Sequence, residues 1–172
     1  MQTDSGSSQS DPNARTAALL KLVAEIRARQ SLPLGIAGGM AGALAGAIAW
    51  AAISEMTSFQ IGYMAVGVGF LVGFGIRRLG RGIDRTFGIA GAVLAFLGCI
   101  AGNLGAIVIA GSKYFHVSFF EMLERLAPAT ALQLLKADFQ PMDVLFYGMA
   151  IYFGYRYSIR YLTPQEVASL PE

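Results

Sequence analysis

The residues of this chain that could do chemistry are few and far apart. Asn103 is the one strongly polar side chain inside the long uncharged run Phe87–Gly111. An amide in hydrocarbon has two readings: a pathway or ligand contact, or a hydrogen bond between helices worth about 0.6 kcal/mol. It does not ionise, so it relays no proton as an aspartate or glutamate would. The carboxylates Glu55 and Asp143 fall at the ends of apolar runs, which argues against an antiporter built around a buried acid. His116 is the single histidine and Cys99 the single cysteine. They exclude a two-histidine motif, an intrachain disulfide and a Cys-rich metal site. Neither GxSxG nor HExxH occurs. The expectation is a protein that is not an enzyme, with no catalytic set, no metal and no cofactor.

The other chemically expressive stretch is basic. Arg77, Arg78, Arg81 and Arg85 lie within nine residues, interleaved with Gly80, Gly82 and Asp84. Arginines at a membrane surface attract anionic lipid headgroups, each contributing about 1 kcal/mol. The same residues also serve simply to mark which side a loop occupies, and one segment can do both. The Gly/Arg mixture lacks the GxxxxGK[ST] spacing of a phosphate loop. Four bases at a membrane face are too small a patch for nucleic acid, so none is expected as a partner.

The elements that must position these residues are apolar. Of 172 residues, 55% are hydrophobic and 14% charged, with 21 glycines; an ordinary soluble domain carries about 25% charged residues. Mean hydropathy is +0.53. Two uncharged runs flank the arginines, so Ile61–Gly111 reads as a transmembrane helical hairpin with a wet tip. Four spans are expected, at about 34–53, 58–76, 87–110 and 143–161. A run of about 20 residues covers the ~30 Å hydrocarbon layer at 1.5 Å per residue. The fourth is the weakest, because its uncharged part, Val144–Tyr155, has only 12 residues.

Small residues recur every four positions. Gly38, Gly42 and Gly46 form one stripe of the first span, opposite Ile36, Met40, Leu44 and Ile48. Ala65, Gly69 and Gly73 form another in the second, with Gly67 and Gly75 on a different side. Gly98, Gly102, Ala106 and Ala110 repeat the design in the third, opposite Phe96, Ile100, Leu104 and Val108. Gly91, Ala95 and Cys99 add a second strip there. Such stripes let backbones approach closely, within one chain or between copies. The second span, with glycine on two sides, belongs near the bundle centre.

Residues 1–33 read as a polar, disordered tail followed by an amphipathic helix, with Leu19, Leu22, Val23 and Ile26 on one face. The start is too polar for a secretory signal. Trp50 marks the far interface of the first span. Val117–Gln140 mixes apolar and charged residues around Pro128, which suggests two short amphipathic helices along the interface; a re-entrant segment is the alternative. Residues 163–172 read as a polar tail. Ten bases fall on the side holding both termini and the arginine loop, and three (Lys113, Arg125, Lys136) on the other. The positive-inside rule therefore predicts cytoplasmic termini.

At Gly62–Gly73, Gly98–Leu104 and Asp143–Tyr152, within roughly 58–162, the chain resembles an uncharacterised group of small, four-span bacterial inner-membrane proteins. The resemblance implies location in the inner (plasma) membrane and carries over no functional residue. The fold expected is all-α: an integral membrane four-helix bundle with Gly-rich packing faces, an N-terminal amphipathic helix and an amphipathic extracytoplasmic segment. Its partners are the lipid bilayer and, through packing, a homo-oligomer or another membrane protein. The function expected is that of a non-enzymatic subunit, scaffold or accessory factor. The alternative is a small oligomeric transporter or channel, with Asn103 and the tyrosines of the fourth span lining a path.

Overall fold

The computed structural model describes residues 12–57 and 63–168. Helix is the only regular structure among them, in eight segments. They are α1 (Pro12–Ala28), α2 (Leu32–Thr57), α3 (Tyr63–Gly80), α4 (Arg85–Phe115), α5 (Phe119–Arg125), α6 (Pro128–Asp138), α7 (Pro141–Ser158) and α8 (Pro164–Ala168). Most of the expected polar tail, the turn around 58–62 and the last four residues lie outside the described residues.

Local chemistry sets the helix ends. Pro12, Pro128, Pro141 and Pro164 each begin a helix, where a missing N–H costs nothing. The Ser118 hydroxyl accepts from the Glu121 N–H at 3.2 Å and caps α5. The Asp143 carboxylate accepts the Gln140 N–H at 2.8 Å at the start of α7. His116 stops α4 in the left-handed conformation, φ 54°, its N–H donating to the Lys113 carbonyl at 3.3 Å. The lone histidine is thus a helix stop on the surface. The C-terminal tail differs from expectation by forming α8, because Thr163 and Glu166 make reciprocal capping bonds.

Helices α2, α3 and α4 are long and apolar enough to cross a membrane. With 31 residues, α4 is the longest. At about 1.5 Å per residue it runs roughly 46 Å, well beyond the ~30 Å hydrocarbon layer. Helix α5 folds back on this overhang, with Met122 against Gly111, while α6 lies opposite Phe96, Ile100 and Asn103 of α4. The two short helices expected in 117–140 are therefore present.

The glycine contacts give the directions. Gly38, Gly42 and Gly46 of α2 meet Gly75, Leu71 and Val68 of α3, an antiparallel pair. Gly98 and Gly102 of α4 meet Ala43 and Trp50 of α2, which runs alongside in the same sense. Gly69 and Gly73 of α3 meet Ala150 and Tyr157 of α7, again in the same sense. Gly88 and Gly91 of α4 meet Tyr155 and Gly154 of α7, antiparallel. Helices α3 and α4 form the central pair, with α2 and α7 docked on opposite sides of it.

The chain segments beyond the bundle meet at one end. The Ser31 N–H donates to the Gly80 carbonyl at 3.0 Å, and the Arg160 N–H to the Gly82 carbonyl at 2.8 Å. The start of α2, the loop 81–84 and the end of α7 therefore share one face. Phe87 plugs that end against Gly35, Gly80 and Gly82. Above it the core is Ile76, Val72, Val68, Ala65, Ala95, Cys99 and Ala150. Trp50, expected at the far interface of the first span, is turned inward and buried against Gly102, where the missing side chain leaves room for an indole. Outside, Met40, Leu44, Ile48, Phe74, Val93 and Leu97 are exposed. So many large apolar side chains facing outward suit hydrocarbon rather than water as the surrounding medium.

Candidate functional site

Two places gather the polar residues singled out from the sequence, one at each end of the bundle, with the glycine seams between them.

The seams are backbone against backbone. A methyl on Gly38 would collide with the Gly75 carbonyl, one on Gly42 with the Leu71 carbonyl, and one on Gly69 with the Ala150 carbonyl. On Gly73 it would sit 2.7 Å from Cβ of Tyr157, and on Gly98 2.8 Å from a Val68 methyl. Gly46 and Gly102 are closely covered by Val68 and Trp50. Gly75 meets α2, whereas its expected companion Gly67 has nothing within 4 Å. The bulky stripe Ile36–Met40–Leu44–Ile48 faces outward, but Val108 of the α4 stripe is buried. Beside the α2 stripe, Ala37, Ala41, Ala45 and Ala49 are also exposed and repeat every four residues. This second small-residue ladder faces outward among the described residues.

Asn103 is buried, 5% exposed, on the α4 face toward α7. Its amide lies 3.5 Å from the Tyr147 hydroxyl, a long and therefore weak hydrogen bond. Both residues line a cavity of about 600 Å3 between α4, α6 and α7. Phe96, Leu135, Lys136 and Phe139 complete much of its wall. The contribution of α6 had no signal in the sequence, because no spacing links it to α4. Of the fourth-span tyrosines, only Tyr147 reaches this cavity. Tyr155 packs on Gly88, Tyr157 on Gly73, Tyr152 is exposed, and Tyr161 lies under Arg156, 4.3 Å from its guanidinium carbon. Toward the arginine end the α4–α7 seam is closed by Gly91, Ala95, Gly154 and the buried Ser158, whose hydroxyl donates to the Gly154 carbonyl at 2.5 Å.

The arginines divide. Arg77 and Arg78 end α3, and Arg81 follows with φ 50°. These three line a cleft of about 520 Å3 with Phe74, Tyr157 and Arg160. Arg85, in the first turn of α4, is exposed and lies outside it. Arg160 arrives from the far end of the sequence and is paired with Glu166. Among the described residues, Arg77, Arg78 and Arg81 have no carboxylate partner; the guanidinium of Arg78 lies 5.7 Å from the Phe74 ring centre. The single acid of the loop, Asp84, is taken by Arg27 at 2.8 Å and by the Gln30 amide. Those contacts, Gln30 first, hold its carboxyl below the ordinary value. Among the described residues no group of three or more His, Cys, Asp or Glu is placed to hold a metal ion.

Comparison with protein-family models, with curated proteins and with solved structures finds no match.

Proposed function

We propose that this is a non-enzymatic multipass protein of the bacterial inner membrane, an accessory subunit that acts by packing against another helix in the bilayer. In this reading α7 makes the fourth crossing, and both termini and the arginine loop are cytoplasmic. Its support is the contact of α7 with α3 and α4, together with the shared face of α2, loop 81–84 and α7. The surplus of bases on that face gives the orientation.

The observation that carries the functional reading is the alanine ladder on α2. The other small-residue stripes are largely spent inside the chain, whereas Ala37, Ala41, Ala45 and Ala49 are exposed. Flanked by Met40, Leu44 and Ile48, they offer the small-xxx-small surface on which membrane helices associate. Thus the geometry favours a partner helix, and a second copy supplies one without invoking another protein. The test is cross-linking in native membranes on a Cys99→Ser background. Ala41→Cys and Ala45→Cys are expected to give a product of twice the chain mass. Val93→Cys, on an outward face of α4, is expected to give none. Equal yields at all three positions, or none at any, would reject the ladder as an interface.

The transport reading draws on the cavity at Asn103 and Tyr147. The closed α4–α7 seam below it counts against a path through a single chain.

A further inference from the structure

We infer that the arginine cleft binds the phosphate headgroup of an anionic phospholipid bearing a phosphomonoester, the headgroup class of phosphatidic acid. This deepens the membrane reading above, since it rests on the cleft lying at a bilayer surface. The charge count comes first. Arg77, Arg78 and Arg81 bring three guanidiniums with no carboxylate partner among the described residues, while the charge of Arg160 is offset by Glu166. The carbonyl ends of α3 and α7 finish here and contribute about −0.5 each. What remains is close to two positive charges, the complement of a phosphomonoester at about −1.5 to −2.

The shape of the cleft favours a lipid over a soluble phosphate. One wall is Phe74, half exposed on the outer surface of α3, and Tyr157 of α7. Phe70 continues that wall, its ring centre 4.5 Å from that of Tyr157. An aromatic track from a cationic mouth into the acyl layer fits a headgroup with its chain attached. Arg81 is held at the mouth by rigid backbone. Its positive φ is one that non-glycine residues rarely adopt, and its neighbours Gly80 and Gly82 are both locked against Phe87.

Arg85 supplies an internal control, since it carries the same charge just beyond the loop, in the first turn of α4, but lies outside the cleft. The experiment is calorimetric titration of the full-length protein, in non-ionic detergent, with dioctanoyl phosphatidic acid, dioctanoyl phosphatidylcholine and glycerol 3-phosphate. The phosphatidic acid is expected to bind saturably, the phosphatidylcholine not at all, and glycerol 3-phosphate at least about tenfold more weakly than the lipid. Arg77→Gln and Arg81→Gly, the latter compatible with the positive φ, should each weaken lipid binding about tenfold. Arg85→Gln should leave it unchanged. An equal loss with Arg85→Gln would mean diffuse surface charge and overturn the site. Glycerol 3-phosphate binding as tightly as the lipid would assign a soluble ligand and overturn the lipid. Absence of saturable binding by folded protein would overturn both. Binding in detergent needs no partner at α2, so its failure leaves the helix-packing reading standing on its own test.

Discussion

Gly67 and Gly69 stand two positions apart on α3 and would respond oppositely to the same methyl group. At Gly69 it would meet the Ala150 carbonyl and lie 2.8 Å from its Cα, both backbone atoms of a packed helix that cannot swing aside. At Gly67 there is nothing within 4 Å. Gly69→Ala should therefore cost about 1–3 kcal/mol through overpacking. Gly67→Ala should be neutral or stabilising by up to about 1 kcal/mol, since alanine is the better helix former. Thermal melts in detergent compare the two directly, and equal destabilisation would argue against the α3–α7 seam. The period-four glycines of α2 were legible because a repeat on one helix encodes one face. Gly35, Gly80 and Gly82 were not, because three separate segments bring them around Phe87 and no period connects them. Trp50 shows a limit of another kind: residue type suggested an interface, but gave no sign that the indole turns inward onto Gly102. Arg160 joined Arg77, Arg78 and Arg81 for a similar long-range reason, the return of α7 to the end where α3 finishes.

Among the elements, the long apolar helices were the most legible, since length and hydropathy fix them before any packing is known. α7 was the least legible. Asp143, Arg156 and its tyrosines dilute its apolarity, yet Ala150, Gly154 and Ser158 are buried against its neighbours. Its place in the bundle is set by small residues at its seams rather than by hydropathy. The two short helices after α4 followed from their mixed charges and from Pro128, but that α6 lines the cavity at Asn103 did not. The junction of α1 with the arginine loop carries a pH-dependent term. The Asp84 carboxyl is held low by Gln30 and then Arg27. A depressed folded-state value means that the stabilisation is complete above the unfolded carboxylate value, about 3.9, and disappears as pH falls below it. Because Arg27 is largely exposed, the clamp is worth at most about 1 kcal/mol. Asp84→Asn should melt slightly below the wild type at neutral pH, and the gap should narrow and close at acid pH, below the ordinary carboxylate range. A gap that persists there would assign the effect to something other than the carboxylate.

At the scale of the whole molecule, four rods running alternately up and down place the α4 overhang with α5 at one end, and α1, α8 and the arginines at the other. The bilayer reading explains why the outer surface is apolar, why glycines rather than large side chains fill the seams, and why the bases gather at one end. It stands or falls with α7, because a chain with only three crossings would put its C-terminus on the far side from the arginine loop. The direct measurement is cysteine accessibility in intact cells on a Cys99→Ser background, at three exposed positions. Phe120→Cys should react with an impermeant maleimide from outside, while Arg85→Cys and Gln165→Cys should react only after the membrane is opened. Labelling of Gln165→Cys from outside, or of Arg85→Cys in place of Phe120→Cys, would contradict the four-crossing arrangement.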